Sequence, residues 1–243
     1  MGYGCPDAEM SSVSVILPSY NEKDNIAEAI ERVEKSLGQR LLEIIVVDDN
    51  SPDGTWSVVE NLNDPHVRLI RRIDERGLAS AIARGVAEAR GESVVWMDCD
   101  LGLPPEAVPR LVDALSHADV AVGSRYVSGG ADKRAFVRRS LSTLINTYGM
   151  IILSSKIRDY TSGFVAAKTD VARAVGINPH GFGEYCIEFL YTCIKRKYHV
   201  VEVGYHYTYR KSGVSRTDAV DLQLFKYGMQ YGWRILKLRF KVK

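Results

Sequence analysis

Two aspartates spaced two residues apart, Asp98 and Asp100, are the residues of this chain that most directly suggest chemistry. They follow an apolar run over residues 93–97, so their carboxylates are expected to lie at the end of a buried strand. Hard divalent cations bind carboxylate oxygens and often share their coordination shell with substrate phosphates. The pattern therefore predicts a site for Mg²⁺ or Mn²⁺ at Asp98 and Asp100.

Two other apolar runs also end in polar and acidic residues. Residues 13–17 lead into the segment 18–22 (PSYNE), and residues 42–47 lead into Asp48 and Asp49. Such residues are common in ordinary turns and helix caps. The convergence of three acidic strand ends favours a binding site instead, because clustered carboxylates repel one another unless a cation or hydrogen-bond donors stabilise them.

Several classes of protein do not fit the sequence. No GxGxxG follows the first apolar run and no Gly-Lys-[Ser/Thr] loop occurs, which argues against a dinucleotide dehydrogenase and a P-loop NTPase. The 4 cysteines form no CxxC pair, and the 5 histidines show no metal-ligand spacing. No secretory signal and no run of about 18 apolar residues is found, so we expect a cytoplasmic protein without a membrane-spanning helix.

The elements that must position the acidic residues alternate between strand and helix in the first half of the chain. Helices with one apolar face separate the strands, and units of about 25 residues indicate right-handed βαβ crossovers. We therefore predict an α/β fold with a mostly parallel central sheet flanked by helices. The expected strands cover residues 13–17, 42–47, 67–70, 93–97 and 119–122.

Beyond Gly123 the pattern is less regular. A basic helical segment is expected over residues 136–153, a helix near 183–195, and strands near 163–167, 200–203 and 205–209. Tyr205, Tyr207 and Tyr209 alternate with period two, which favours one face of a strand over a sugar-binding platform. Glu188 suits either an exposed position or a site role.

The C-terminal end is basic, with 12 Lys/Arg against 3 Asp/Glu from Lys195 onward. A long helix is expected over residues 220–240, and it carries two apolar stripes. One interpretation is a helix packed on the core with a basic outer face. The other is an interfacial helix at an anionic membrane surface.

The ordered motifs of the chain resemble those of family 2 glycosyltransferases, and within that family they look most like the dolichyl-phosphate mannose synthases. The motifs are PSYNE, VVDDNSPDGT, ERGLASAIARG, VWMDCDLGLPPE, GSRY, FVRRSLS, TSGF and RKSGVSR. The resemblance implies a GT-A (Rossmann-like) fold, a nucleoside-diphosphate sugar donor, a divalent metal and inversion at the anomeric carbon. The sequence contains no repeat, linker or low-complexity tract, so we expect one domain, with a nucleotide-sugar-binding half over residues 13–123, an acceptor-side half over 124–216 and a basic amphipathic helix over 217–243.

The resemblance assigns roles to individual residues. Pro18, Tyr20, Glu22 and Asp49 are expected to line the nucleoside pocket, and Asp98 and Asp100 to meet the metal and the donor diphosphate. The residues expected to act on the phosphates of acceptor and donor are Arg125, Arg138, Ser142, Arg210 and Arg216. Arg210 and Arg216 belong to a basic loop expected to close over the site, and Arg216 stands where the family usually has Lys.

The sequence departs from the family pattern at Gly102. The family usually reads DADLQ, with the Gln assisting metal binding, whereas this chain reads DCDLG. Water could occupy the free coordination position, since Mg²⁺ commonly retains several waters. We accordingly expect Gly102→Gln to strengthen metal or donor binding.

The implied activity is transfer of a hexose to a polyprenyl (dolichyl) phosphate at a membrane surface. The expected hexose is mannose, and the expected donor is GDP-mannose. An acceptor phosphate is already ionised at neutral pH, so no strong general base is required. The implied partners are the sugar nucleotide, the lipid, a peripheral contact with the membrane and, if the chain does not bind lipid itself, a membrane partner protein; no nucleic acid is expected. The alternatives are another donor such as UDP-glucose, a saccharide acceptor, or a nucleotide-sugar-binding protein without turnover.

Overall fold

The computed structural model describes residues 12–181, 183–208 and 222–241, with the backbone alone for residues 222–227 and 241. The strands are β1 (Val13–Ser19), β2 (Leu41–Asp48), β3 (Val67–Arg71), β4 (Ser93–Trp96), β5 (Val120–Ser124), β6 (Ala131–Asp132), β7 (Val165–Lys168), β8 (Val200–Gly204) and β9 (His206–Tyr207). The helices are α1 (Ile26–Leu37), α2 (Thr55–Leu62), α3 (Leu78–Glu88), α4 (Val108–Ala114), α5 (Phe136–Ile152), α6 (Thr169–Val175), α7 (Glu184–Lys195) and α8 (Leu222–Lys241). Strand and helix alternate through the first half of the chain, as the sequence pattern predicts.

Seven strands form one sheet in the order β3-β2-β1-β4-β7-β5-β8, and β6 pairs with β9 in a small second sheet. In the large sheet β7 runs antiparallel to β4 and β5, and all other neighbours are parallel. This confirms the predicted α/β fold with a mostly parallel sheet. Because β7 is reversed, the residues that precede it lie at the same sheet edge as the residues that follow β4.

Apolar side chains cover both faces of the sheet. Alternate residues of β1 point to opposite sides, so Ile16 packs in one core and Val15 and Leu17 in the other. Helix α3 approaches β1 closely: a Cβ atom built on Gly85 would lie 2.5 Å from Ile16 Cγ2. This close approach fixes the N-terminal end of α3 at the edge where the acidic strand ends meet.

Helix α8 has one buried and one exposed apolar stripe. Ile235 and Leu238 are buried, whereas Trp233 is 61% and Phe240 83% exposed. The helix packs against α5 and α7, and an ion pair between Arg234 and Glu188 fastens it to α7. The core-packed interpretation therefore holds for one stripe only.

The ion pair gives Glu188 a structural role, and Asn178 Nδ2 donates a second hydrogen bond to it at 2.9 Å. No helix in the described parts of the chain is both long enough and apolar enough to cross a bilayer.

Candidate functional site

A cleft of about 700 Å³ opens at the carboxyl ends of β1, β2 and β4. Ligands of open α/β sheets commonly bind at this edge. Its walls come from elements that are distant in the sequence. They include residues 18–22, Asp49, residues 76–78, Ala81, residues 98–100, Arg134, Arg138, residues 161–163, Gly181, Gly183, Tyr185, Tyr207 and Tyr231.

The segment after β1 is held in place by side chains from the loop after β2. The backbone N–H of Asn21 donates to Ser51 Oγ at 3.0 Å, and that of Glu22 donates to Thr55 Oγ1 at 3.0 Å. These bonds place Tyr20 and Glu22 in the wall of the cleft. Pro18 lies in the same wall, so the structure brings together the residues of the PSYNE motif.

The two aspartates at the end of β2 have different surroundings. The Asp48 carboxylate is fully buried and accepts hydrogen bonds from Ser19 Oγ at 2.9 Å and from the Ser51 backbone N–H at 2.8 Å. It joins the ends of β1 and β2 rather than facing the cleft. Asp49 lies in the cleft wall and accepts a hydrogen bond from Arg72 Nε at 2.8 Å.

Asp49 also organises the loop before α3. Its Oδ2 accepts the Gly77 backbone N–H at 2.8 Å, and Arg72 Nη2 donates to the Gly77 carbonyl at 3.0 Å. Gly77 has φ +140°, a conformation that favours glycine. The loop carries Arg76 into the cleft, where its guanidinium lies 5.3 Å from the centre of the Tyr20 ring.

Asp98 and Asp100 both line the cleft, as the spacing predicts. Asp98 is half-buried, and Asp100 is buried and accepts the Gly102 backbone N–H on Oδ1 at 2.8 Å. Burial raises the pKa of the intervening Cys99 thiol well above its usual value, and the negative charges of Glu22, Asp100 and Asp98 raise it further. The thiol therefore remains protonated at neutral pH.

The donor set at Asp98 and Asp100 fits a hard divalent ion, since it consists of carboxylate oxygens at the rim of a polar cleft. Within the described ranges, one group of three side chains, Glu34, Asp64 and His66, has possible metal-ligand atoms within 4.8 Å of one another. Among the residues that the structure describes, Asp98 and Asp100 do not belong to such a group of three. That other cluster combines the last turn of α1 with the residues before β3, and so lies at the opposite edge of the sheet. An ion at Asp98 and Asp100 would accordingly complete its coordination with substrate phosphate and water.

On the acceptor side, Arg138 lies in the cleft wall from the first turn of α5. Ser142, one turn further along α5, lies behind the wall: its Oγ is 3.3 Å from Oγ1 of Thr161, which lines the cleft. Arg134 adds a further guanidinium to the wall and is oriented by Asp132, with Nη2–Oδ2 2.6 Å.

Arg125 does not reach the cleft. Its side chain is 3% exposed and donates to both carboxylate oxygens of Asp159. Burial by itself would lower the pKa of Arg125, but the charge and hydrogen bonds of Asp159 raise it well above the usual guanidinium value. Arg125 thus supports the cleft wall through its hydrogen bond to Thr161 Oγ1 at 2.9 Å. Its predicted role toward the acceptor phosphate stays a prediction.

Arg210 and Arg216 lie outside the described residues, so their predicted roles stay predictions.

Sequence reasoning missed several polar or aromatic side chains of the cleft, among them Arg76, Arg134, Tyr185, Tyr207 and Tyr231. Arg76 belongs to the ERGLASAIARG motif, so the resemblance to the family could have identified it as a site residue. The period-two spacing predicts that Tyr207 shares one strand face with Tyr205, but the chain leaves the large sheet at Gly204 and pairs with β6 from His206. Tyr205 is therefore buried while Tyr207 reaches the cleft.

Curated relatives share much of the sequence. A dolichol-phosphate mannosyltransferase of Pyrococcus furiosus is 40% identical over 231 residues, which cover 93% of this chain and 64% of that protein. A polyprenol monophosphomannose synthase of Mycolicibacterium smegmatis is 36% identical over 219 residues, covering 86% of this chain and 82% of that protein. The chain thus spans less than two thirds of the length of the P. furiosus relative.

The fold also resembles that of a solved protein structure. A glucosyl-3-phosphoglycerate synthase from Mycobacterium tuberculosis, crystallised with Mn²⁺, UDP and phosphoglyceric acid, matches with a TM-score of 0.74 and 18% identity. The match covers 98% of this chain and 84% of that protein. This likeness supports the predicted GT-A fold.

The family model for glycosyl transferase family 2 matches residues 14–176. This range includes all of β1 except its first residue, the strands β2 to β7 and the two aspartates after β4. Because the match covers more than half of the chain, the protein belongs to glycosyl transferase family 2.

Proposed function

We propose that the protein transfers a hexose, mannose from GDP-mannose, to the phosphate of a polyprenyl (dolichyl) lipid, with inversion at the anomeric carbon. The observation that carries the proposal is the composition of the cleft. Asp98 and Asp100 line it just after β4, and Arg76, Arg134 and Arg138 line the same cleft. Carboxylates suited to a cation beside arginines suited to phosphate match a reaction between two phosphate-bearing substrates.

The donor half of the cleft is the wall formed by the segment 18–22, Asp49 and Arg76. Carboxylates such as Glu22 and Asp49 accept hydrogen bonds from hydroxyl and amino groups of a nucleoside. Asp98 and Asp100 would hold Mg²⁺ or Mn²⁺, whose chemistry there is to neutralise the diphosphate and stabilise it as the leaving group. Arg76 adds positive charge beside the nucleotide.

The acceptor half is the wall that carries Arg134 and Arg138. A phosphate monoester oxygen is already anionic at neutral pH, so the acceptor needs positioning and charge stabilisation rather than deprotonation. No histidine lines the part of the cleft that the structure describes.

A lipid acceptor requires that the protein approach a membrane, and the surface of α5 and α8 supports such an approach. Each helix exposes apolar side chains, which together we call the α5–α8 apolar surface: Phe136, Val137, Leu144 and Ile151 on α5, and Met229, Trp233 and Phe240 on α8. Exposed cations lie among them at Arg139, Lys237 and Arg239. An exposed apolar patch with interspersed cations favours peripheral binding to an anionic membrane on its cytoplasmic side.

The cleft and the α5–α8 apolar surface share both helices. Arg138 of α5 and Tyr231 of α8 line the cleft, while other residues of the same helices are exposed. A lipid phosphate could therefore enter the cleft while its polyprenyl chain remains in the bilayer.

The test is transfer of radiolabelled mannose from GDP-mannose to polyprenyl phosphate in anionic vesicles with Mn²⁺ or Mg²⁺. Label in the organic phase that requires the lipid phosphate supports the proposal, and unphosphorylated polyprenol is the matched control. A β-linked product from the α-linked donor would establish inversion. Efficient transfer from UDP-glucose instead, or transfer to a water-soluble saccharide, would assign a different family 2 activity. Binding of a sugar nucleotide without any transfer would indicate a binding protein that has lost turnover.

A further inference from the structure

The space beside Gly102 is occupied by a tyrosine. A Cβ atom built on Gly102 would lie 2.7 Å from Tyr207 Oη, 2.9 Å from Tyr207 Cζ and 3.0 Å from Asp100 Oδ1. Any side chain at residue 102 must therefore displace the tyrosine or the loop. Because Gly102 has no side chain, there is room for the Tyr207 hydroxyl beside Asp100.

The main chain next to Tyr207 is bound to the loop that carries the aspartates. The Thr208 backbone N–H donates to the Gly102 carbonyl at 3.1 Å, and Thr208 Oγ1 donates to the Leu101 carbonyl at 3.0 Å. These two bonds fix the main chain next to Tyr207 relative to residues 101 and 102. The ring consequently has little freedom to move aside.

The far side of the ring is fixed as well. The Arg134 guanidinium lies 5.1 Å from the centre of the Tyr207 ring, within the range of a cation–π contact. Asp132 holds that guanidinium with two short hydrogen bonds, Nε–Oδ1 2.9 Å and Nη2–Oδ2 2.6 Å. The pairing of β6 with β9 brings Asp132 and Tyr207 together.

We propose that Tyr207 is a donor-binding residue whose hydroxyl takes the position that Gly102 leaves open beside Asp100. There it donates a hydrogen bond to an anionic oxygen of the bound nucleoside diphosphate. The inference rests on the proposed function, because it assigns a further residue to the same donor site. Hydrogen bonds from a neutral hydroxyl to a charged oxygen are among the stronger ones in proteins.

This arrangement reverses the expectation for Gly102→Gln. The glutamine side chain has no room beside Asp100 while Tyr207 holds its place. The substitution is therefore expected to weaken nucleotide binding rather than to strengthen it. Gly102→Ala is expected to act in the same direction, because even a single methyl group overlaps the hydroxyl.

The test is calorimetric titration of the full chain with GDP in the presence of Mn²⁺, a readout that needs no turnover. Tyr207→Phe retains the ring and its contact with Arg134 but removes the hydroxyl. We expect it to raise the dissociation constant about 10- to 100-fold with an unchanged melting temperature. Tyr198→Phe, a tyrosine in the turn before β8, is the matched control and should bind as the parent protein does.

Gly102→Ala provides the second variant, because it retains the hydroxyl but moves it. It should weaken binding, and the double variant Gly102→Ala/Tyr207→Phe should bind no more weakly than the weaker single variant. The inference is overturned if Tyr207→Phe binds Mn²⁺ and GDP as tightly as the parent protein, or if the two single effects add. If the parent protein binds neither GDP nor UDP with Mn²⁺, the proposed function itself fails.

Discussion

The guanidinium of Arg125 donates to both carboxylate oxygens of Asp159, with distances of 2.8 Å from Nε and 2.6 Å from Nη2. The Arg125 backbone N–H donates to the same carboxylate at 3.0 Å. The two side chains are 3% and 0% exposed. The pair fastens the residue after β5 to the loop before β7, and Thr161 of that loop lines the cleft.

Asp159→Asn is expected to lower the free energy of unfolding by at most about 3–5 kcal/mol, because it removes the carboxylate that binds the buried Arg125 guanidinium with two hydrogen bonds and leaves only Asp132, 3.9 Å away, as a counter-charge. Urea denaturation measures the change. Asp113→Asn is the matched control: its ion pair with Arg40 is exposed and should contribute at most about 1 kcal/mol. An unchanged stability combined with a raised KM for the lipid phosphate would show that Arg125 serves the acceptor instead.

Asp100→Ala is expected to abolish Mn²⁺-dependent nucleotide binding while the chain stays folded. The substitution removes the carboxylate from the cleft and one hydrogen bond to the Gly102 N–H, which contributes about 1 kcal/mol to stability. Calorimetry with GDP and Mn²⁺, together with a melting curve, measures both effects. Asp113→Ala, on the outer side of α4, should bind like the parent protein. Normal metal-dependent binding by the Asp100 variant would contradict the metal assignment.

Trp233→Ser is expected to reduce co-sedimentation with vesicles that contain phosphatidylglycerol, without loss of stability, because Trp233 is exposed on α8. Binding by the parent protein should weaken as salt is added, since cations near the surface each contribute about 1 kcal/mol. Ile73→Ser, an equally exposed apolar residue after β3, is the control. Equal losses for both variants would argue against a specific role of the α5–α8 apolar surface.

Deleting residues 233–243 is expected to have a different effect. The deletion removes Ile235 and Leu238 from the core, and a single large-to-small change at such a position costs about 2–5 kcal/mol. The melting temperature should therefore fall sharply. Ile235→Ala should reproduce part of that fall while vesicle binding at low temperature is retained. A truncated chain that melts like the parent protein would show that α8 adds nothing to the core.

Glu202 predicts a pH dependence of stability. Burial raises its pKa, although its carboxylate accepts the N–H groups of Arg158 at 2.9 Å and Asp159 at 3.0 Å. Because the folded-state pKa lies above the unfolded one, its contribution is fully present below the ordinary Glu pKa of about 4 and is lost as the pH rises through the folded-state pKa. The stability of the parent protein relative to Glu202→Gln should therefore decline from about pH 4 upward.

Urea denaturation over a pH series measures this difference. Glu92 is exposed, so the difference in unfolding free energy between the parent protein and Glu92→Gln should not decline as the pH rises. A difference that grows with pH would mean that the carboxylate is stabilised in its charged form.

The local pattern of residues was sufficient to predict much of the fold and one side of the site. Apolar runs and amphipathic helices predicted the alternation from β1 to β5, because periodicity depends only on neighbouring residues. Polar residues directly after parallel strands must meet at one sheet edge, so Tyr20, Asp49, Asp98 and Asp100 could be assigned to one cleft from the sequence.

Only the tertiary structure decided the remaining features, because they depend on contacts between residues far apart in the chain. Arg125 belongs to a motif that suggested phosphate binding, yet Asp159 neutralises it inside the wall. The reversed β7 brings Thr161 to the cleft, and the pairing of β9 with β6 brings Tyr207 there. In the sequence, Gly102 is only a position that lacks a side chain. In the fold, the space beside it is occupied by the ring of Tyr207, which lies 105 residues further along the chain. Partner choice at such positions is set by packing and charge pairing across the fold, which no local pattern encodes.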